Sequence, residues 1–345
     1  MCIRDRARLA VVLGLLTVVL AVALGVGAAF GDQPVSVWRA LRDGNSLDAT
    51  LLWRLRLPRV LLAALVGAAL SGSGCALQAL LRNPLADPFV LGVSGGAALG
   101  ATLAMAIGVS VVADAWGGAP AIAARWSAPS LFAFVGAGAA TLLVAGAGRM
   151  STRAGPTTAL LTGVVFNAFA AAAITCIKAL SSPERTGDIL FWLAGALGYE
   201  VPSTLVLSAM LQLAALGTLL ALSGRLNLLS LGDEEAAALG VPVASTRRAL
   251  LLATSASVGG AVALSGMVGF VGLMVPHLLR RILGPDQRLL LPASVLGGGA
   301  FLVLADLAAR LLFPLAGTEL PVGVLTALLG GPFFLWQLRS GGRGA

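Results

Sequence analysis

Long uncharged apolar runs recur along almost the whole chain. A helix that crosses the hydrocarbon core of a bilayer needs about 20 such residues. Seven runs of about that length carry no charged side chain: 9–30, 60–81, 89–113, 127–148, 154–177, 201–224 and 320–338. An eighth, 289–313, is interrupted only by Asp306 and Arg310. Because a lipid-exposed backbone must satisfy its own hydrogen bonds, these runs predict an all-α polytopic membrane protein.

The composition agrees with a surface that faces lipid. Of the 345 residues, 11% are charged and 58% are hydrophobic, whereas soluble domains carry about 25% charged residues. The net charge of +8 would suggest a nucleic-acid partner in a soluble protein. Here the arginines lie at the ends of apolar runs, where they set membrane topology, so no nucleic-acid partner is expected. The first run lacks a clear A-x-A site and is predicted to be a retained span.

The stretch 249–279 decides the predicted number of spans. It contains no charged side chain apart from neutral His277, and it is too long for one span and short for two. If it folds as two helices with a turn near 265–270, ten helices place both termini on one side. That side then holds 14 Lys and Arg residues against 8 opposite, whereas nine helices give 9 against 13. The positive-inside rule therefore predicts ten transmembrane helices with both termini cytoplasmic.

Small residues are concentrated in two of the runs, at 67–74 and 92–100. Either glycine is simply common in membrane helices, or these segments let helix backbones approach closely. Together they favour a tightly packed bundle. A weak echo between 66–72 and 260–266 would form an inverted repeat, because the two copies run in opposite directions through the predicted bundle. We expect one transmembrane domain over residues 1–345.

Catalytic and cofactor chemistry is sparse in this sequence. The only lysine, Lys178, does not follow a glycine-rich loop, and no G-x-x-x-x-G-K-[ST] motif occurs, so no ATP site and no cofactor are expected. The three cysteines match no metal-ligand spacing. The sole histidine, His277, is predicted to have a structural role. Asp306 and Arg310 are spaced i, i+4, which allows them to neutralise each other.

Two classes of membrane protein depend on reactive or ionisable side chains. A proton-coupled carrier usually has isolated titratable groups along its pathway, and a membrane-embedded enzyme needs paired acids, a nucleophile with its base, or metal ligands. The sequence offers little of either. A secondary transporter or channel, which works without an ATPase, stays open, and ATP-dependent uptake into vesicles would exclude it.

Seven short motifs follow one another from about residue 50 onward. They are RLPR at 56–59, RNPLADP at 82–88, LGVSGG at 91–96, LNLLSLGDE at 226–234, GFVGLMVPH at 269–277, LAD at 304–306 and ELPVG at 319–323. In this order and spacing they resemble the FecCD family of importer permeases, which includes permeases for vitamin B12, ferric siderophores and haem. The resemblance implies a non-enzymatic subunit of an ATP-binding-cassette importer in the inner membrane, which works by alternating access.

The resemblance also implies a set of partners. They are a second copy of this chain, two ATPase subunits that bind ATP and Mg, a periplasmic or lipoprotein substrate-binding protein, and membrane lipid. The ligand class stays open between an iron chelate, haem and vitamin B12, because the residues of the pathway do not reveal a substrate code.

The loop at about 225–248 is predicted to contain a short helix. Three acids open it, where they complement the helix dipole, and Gly240 followed by Pro242 ends it. On local sequence this is either a solvated loop helix or a functional element. The resemblance implies that it is the coupling helix, docked in a groove of the ATPase. The implied coupling residues are Gly232, Asp233, Glu234, Glu235, Leu239 and Gly240.

Two further sites are predicted at the helix ends. Arg54, Arg56 and Arg59 fall on the outside, against the charge rule. They either snorkel at the interface or form a docking patch for carboxylates of a binding protein. The resemblance implies docking by Arg56, Arg59 and Arg310, and Arg54 fits it less firmly. It also implies a cytoplasmic gate at Asn83 and Leu85, with Ser151 and Thr152 as its second part. A proline-rich turn and an ordinary short loop are the alternatives to the gate.

Overall fold

The computed structural model describes residues 3–31, 35–108, 127–150, 156–198, 202–312 and 319–341. These residues are almost entirely helical and include no β-strand. The α-helices of the described segments, numbered in chain order, are α1 Ile3–Ala29, α2 Val37–Arg42, α3 Leu47–Thr50, α4 Leu57–Leu80, α5 Val93–Ile107, α6 Ala128–Met150, α7 Pro156–Leu180, α8 Pro183–Leu193, α9 Pro202–Ala221, α10 Ser223–Leu229, α11 Asp233–Ala238, α12 Val243–Ser265, α13 Val271–Leu283, α14 Gln287–Leu311 and α15 Val322–Gly341. A π-helical turn, Leu51–Arg56, leads into α4, and a 3₁₀ turn, Pro88–Leu91, precedes α5.

Several of these helices have the length and composition of membrane spans. Within the described residues, five helices are long and apolar enough to cross a membrane, and there are six if the pair Leu205–Ala221 and Ser223–Leu229, bent by 52°, forms one span. Three shorter apolar helices lie in α5, α6 and α15. The all-helical membrane class predicted from the sequence is therefore confirmed, whereas the number of ten spans and the side of the termini stay predictions.

The predicted interruption of the stretch 249–279 is present. Helix α12 ends at Ser265 and α13 begins at Val271. Gly266 has φ 64° and Phe270 has φ 67°, in the left-handed region that a glycine adopts without the steric cost that a side chain brings. Because every residue of a continuous α-helix has a negative φ, the positive φ values of these two residues interrupt the helix and turn the chain.

Helix α4 lies at the centre of the bundle. It contacts α1, α9, α12, α13 and α14, and Leu62, Leu70 and Leu77 on it are fully buried. A second group of contacts joins α5 to α6 and α7. Helices α1 and α7 instead expose most of their apolar side chains, as expected of helices whose outer surface faces lipid.

Glycines at helix contacts show how closely the backbones approach. A Cβ atom placed on Gly67 would overlap Gly298 O, and one on Gly74 would overlap Gly272 O, so α4 touches α14 and α13 through backbone atoms. Between α5 and α6 the contact is reciprocal: a Cβ on Gly96 would meet the carbonyl of Gly136, and the reverse also holds. The small-residue segments therefore mark close helix contacts, as the sequence predicted.

Replacement of Gly74 by Ala should destabilise the protein by about 1–3 kcal/mol, the usual cost of overpacking a well-packed core. The added methyl group meets the Gly272 backbone, which cannot rotate away as a side chain would. The control is Gly217→Ala in α9, where a Cβ has no neighbour within 4 Å. Thermal unfolding in detergent should separate the two variants. Equal midpoints would show that α4 and α13 are less tightly packed than described.

Candidate functional site

Arg59, near the start of α4, reaches two acidic side chains from other parts of the chain. Its Nε and Nη2 atoms each lie 3.1 Å from Asp306 Oδ1 on α14. Its Nη1 donates to Glu319 Oε2, also at 3.1 Å. The guanidinium therefore joins α4 to α14 and to the segment that precedes α15.

Arg310 completes this cluster from one turn further along α14. Its Nε donates to Asp306 Oδ2 at 3.0 Å, so the predicted i, i+4 pair is confirmed. Its Nη1 and Nη2 donate to Phe30 O and Gly27 O, at 3.2 and 3.0 Å. Gly27 lies in the last turn of α1 and Phe30 directly follows it, where backbone oxygens lack helical partners and carry the negative end of the dipole.

Arg56 binds the same helix end, because its Nη1 donates to Ala29 O at 3.0 Å. We call this region, with Arg56, Arg59, Asp306 and Arg310, the Arg59 cluster. Gly31 gives it room, since a Cβ there would lie 3.0 Å from Arg56 Nη2. Three cations and one carboxylate are thus held at one end of the bundle, and Glu319 lies at its edge.

The three arginines that the resemblance implies in docking are buried within this chain. Arg56, Arg59 and Arg310 are 6%, 5% and 5% exposed in this chain, because Asp306 and the carbonyls of α1 draw them inward. Arg54, which was placed in the patch less firmly, is the exposed arginine of this segment. The Glu319 side chain is 44% exposed.

A cavity of about 210 Å³ opens beside the cluster. Its walls include Arg59 and Glu319 together with Phe191, Leu197 and Leu320. Arg59 is therefore buried by its neighbours, yet it lines a space that a side chain of a partner could enter. The predicted role of the three arginines in docking stays a prediction.

At the opposite end of the bundle, α11 has the form that the sequence predicted. Asp233, Glu234 and Glu235 occupy its first turn. Gly240, with φ 84°, follows its end. The amides of Gly240 and Val241 donate to the carbonyls of Ala237 and Ala236, each at 2.9 Å, the paired pattern of a Schellman ending.

The outer surface of this loop combines apolar and acidic side chains. Leu231 and Leu239 are 63% and 60% exposed, and Glu234 and Glu235 are exposed as well. Ala236 is fully buried against the bundle. Two exposed leucines thus flank the acidic first turn of α11.

Asp233 faces two arginines instead of projecting freely from this surface. Its Oδ1 accepts from Arg82 Nη2 at 2.9 Å and from Arg247 Nη2 at 2.7 Å. Arg82 follows α4, and Arg247 lies in the first turns of α12. No local spacing in the sequence indicates either arginine, because Arg82 and Arg247 lie 151 and 14 positions from Asp233.

The turn after α4 contains the predicted gate residues Asn83 and Leu85. Asn83 Oδ1 accepts from the Leu85 amide at 2.9 Å, which fixes a local Asx turn, and the Leu85 side chain is 49% exposed. Two residues on, Asp87 caps the 3₁₀ turn. Burial raises the pKa of the Asp87 carboxyl, and the hydrogen bond from Phe89 opposes that shift. Ser151 and Thr152 lie outside the described residues.

Two further reactive side chains, those of His277 and Cys75, are engaged in packing contacts. His277 Nε2 contacts Gln337 Nε2, and its ring packs edge-on against Phe334. Cys75 is buried beside Gln287. Across the described segments, no three His, Cys, Asp or Glu side chains are grouped as metal ligands.

Comparison with known proteins matches the chain to the FecCD transport family over residues 15–340. It is 40% identical to the hemin transport system permease HmuU of Yersinia pestis, over 94% of each chain. It is 38% identical to the vitamin B12 import system permease BtuC of Klebsiella pneumoniae, over 95% of this chain and 94% of the relative. An inward-facing metal-chelate-type ABC transporter matches with a TM-score of 0.82 and 31% identity, over 95% and 98% of the two chains.

Proposed function

Because this chain belongs to the FecCD transport family, we propose that it forms the membrane pathway of an ATP-driven importer for an iron chelate, haem or vitamin B12. The family consists of permease subunits of ABC importers, and the chain is a multi-pass protein of the inner membrane. Similarity to a haem permease and to a B12 permease over nearly the full length carries this proposal. The ATPase and the substrate-binding protein are its expected partners.

We place the Asp233 end of the bundle in the cytoplasm and the Arg59 cluster on the outside. Ten transmembrane helices with both termini cytoplasmic accommodate the helices described and give the cytoplasmic side the larger share of Lys and Arg. A second copy of the chain, two ATPase subunits that bind ATP and Mg, and the surrounding lipid complete the assembly. Transport then proceeds by alternating access along a pathway between the two copies.

Helix α11 is the proposed coupling helix. Its exposed leucines supply apolar contact area, and Glu234 and Glu235 supply charge at the edge of the contact. Gly232 and Gly240 bracket the helix and set its direction. A short rigid helix seated in an ATPase groove converts closure of the ATPases into a displacement of the permease. The predicted gate, Asn83 and Leu85 with Ser151 and Thr152, would open or close in response.

The outer face around the Arg59 cluster is the proposed docking surface for the binding protein. Because Arg56, Arg59 and Arg310 are buried, they would contribute to docking as positive charge beneath the surface. Of the three, Arg59 also lines the cavity. A carboxylate of the binding protein would enter beside Glu319 and reach Arg59. Arg54 supplies an exposed charge near the same segment.

ATP hydrolysis by the purified complex tests both the class of protein and its ligand. We expect no hydrolysis by this chain alone, since the sequence has no phosphate-binding loop. Hydrolysis by the complex should rise with a binding protein loaded with one of ferric siderophore, haem or vitamin B12, and the unloaded binding protein is the control. Robust hydrolysis by the isolated chain would contradict the permease assignment.

A secondary transporter or channel remains the alternative function. Such a protein would move its ligand without an ATPase, so the exposed surface of α11 would have no ATPase to bind. The arrangement of buried ionisable groups does not favour it, because Asp306 is paired with two arginines and is thus poorly suited to carry a proton.

A further inference from the structure

The side chain of Arg82 spans from the predicted gate turn to the proposed coupling helix. Its Nε donates to Leu229 O at 3.2 Å, at the end of α10. Its Nη2 donates to Asp233 Oδ1 at 2.9 Å, at the start of α11. The guanidinium therefore holds both helices that flank the segment 230–232. Because both hydrogen bonds come from one planar group, they fix the orientation of the guanidinium relative to the two helices as well as its distance from them.

The backbone of Arg82 is tied just as firmly to the gate turn. Its φ of 50° lies in the left-handed region, which costs energy for a residue with a side chain. Its amide donates to Ala79 O, and the next amide, that of Asn83, donates to Gln78 O. Asn83 then closes the turn onto Leu85. A rotation of Arg82 would therefore move the predicted gate.

Arg247 connects the same carboxylate to α12. It shares Asp233 Oδ1 with Arg82, so the end of α4, helix α11 and the start of α12 meet at one oxygen atom. We propose that Arg82 is the positioning residue that carries displacement of α11 to the gate turn, with Asp233 as the shared pivot. This inference rests on the proposed function of α11 as the coupling helix.

The exposure of this ion pair indicates what it contributes. The Arg82 and Asp233 side chains are 43% and 45% exposed. Pairs at such exposure add little to stability, because water screens them and ordering the side chains costs entropy. An ion pair that contributes little to the free energy of folding can still pass a displacement of α11 to the gate turn. Its removal should therefore leave the complex assembled and change the coupling.

The test compares Arg82→Ala with Arg248→Ala in the complex with its ATPase and binding protein. Arg248 is adjacent to Arg247, is exposed, and donates from Nε to Ala244 O within its own helix, so its removal controls for loss of a cytoplasmic positive charge. Ligand uptake per ATP hydrolysed is measured in proteoliposomes. We expect this ratio to fall by about fivefold for Arg82→Ala, the upper range for an ion pair of this exposure, and to stay unchanged for Arg248→Ala.

Two further variants make the outcome specific to the link. Arg82→Lys keeps the charge but not the fork, and should recover only part of the ratio. Asp233→Asn combined with Arg82→Ala should be no worse than the more severe single variant, because residues acting through one contact are not additive. The proposal would be overturned if Arg82→Ala left the ratio unchanged, or if the ATPase subunit no longer co-purified with the Arg82→Ala variant. If the parent complex itself shows no ATP-dependent uptake, the proposed function fails instead.

Discussion

Replacement of Asp306 by Ala should destabilise the chain by about 3–5 kcal/mol, the cost of removing one partner from a buried ion pair. Asp306 is 1% exposed and accepts from both Arg59 and Arg310. Without it, two buried guanidinium groups lose their shared carboxylate where little water can replace it. Thermal or denaturant unfolding in detergent measures the loss, and yield from the membrane should fall with it.

Glu319→Gln is the matched control for this prediction. Glu319 binds Arg59 from the opposite side, but its side chain is 44% exposed. Neutralising it should cost no more than about 1 kcal/mol, as for other exposed pairs. If Asp306→Ala unfolds at the same midpoint as Glu319→Gln, the described burial of the cluster is contradicted.

The same burial changes how docking of the binding protein should be tested. Charge reversal at Arg59 or Arg310 would place a carboxylate beside Asp306 and disturb folding before it disturbs docking. Arg54 is exposed, so Arg54→Glu alters the charge of the outer face without that complication. Rim charges act chiefly on the association rate and its salt dependence, which are therefore the quantities to compare.

Proline at position 237 should abolish coupled transport. Helix α11 runs from Asp233 to Ala238, and a proline ring there clashes with the preceding turn and removes a helical donor, at a cost of about 3 kcal/mol. The buried core is not touched, because Ala237 is exposed. We expect the complex to assemble, with loss of both uptake and ligand-stimulated ATP hydrolysis.

Ala237→Ser controls for the position, since serine retains the amide and costs a helix only about 0.5 kcal/mol. Uptake by this variant should remain near that of the parent. Normal uptake by Ala237→Pro would show that the segment is an ordinary solvated loop.

Local features of the fold were readable from the sequence because they depend on neighbouring residues. Apolar runs predicted the helices, the glycine segments at 67–74 and 92–100 predicted close contacts, and the i, i+4 spacing predicted the Asp306–Arg310 pair. The first-turn acids and Gly240 likewise delimit α11. Each of these signals is carried by residues that lie close together in the sequence.

Contacts between distant segments were not readable in this way. Arg59 and Asp306 are separated by 247 positions, and nothing near either residue specifies the other. Neither the burial of Arg59 nor the position of Arg56 beside the end of α1 could therefore be foreseen. The two ion pairs of Asp233 were likewise not predicted, because only the packing of the helices brings Arg82 and Arg247 to it.

Ligand uptake into proteoliposomes tests most directly whether this chain is the permease of an ATP-driven importer. Vesicles containing the chain and its ATPase are loaded with ATP, and the binding protein with ligand is added outside. We predict accumulation that requires the ATPase and hydrolysable ATP, and that fails with a non-hydrolysable analogue. Accumulation of the same ligand by the chain alone, driven by an ion gradient or by none, would contradict the account.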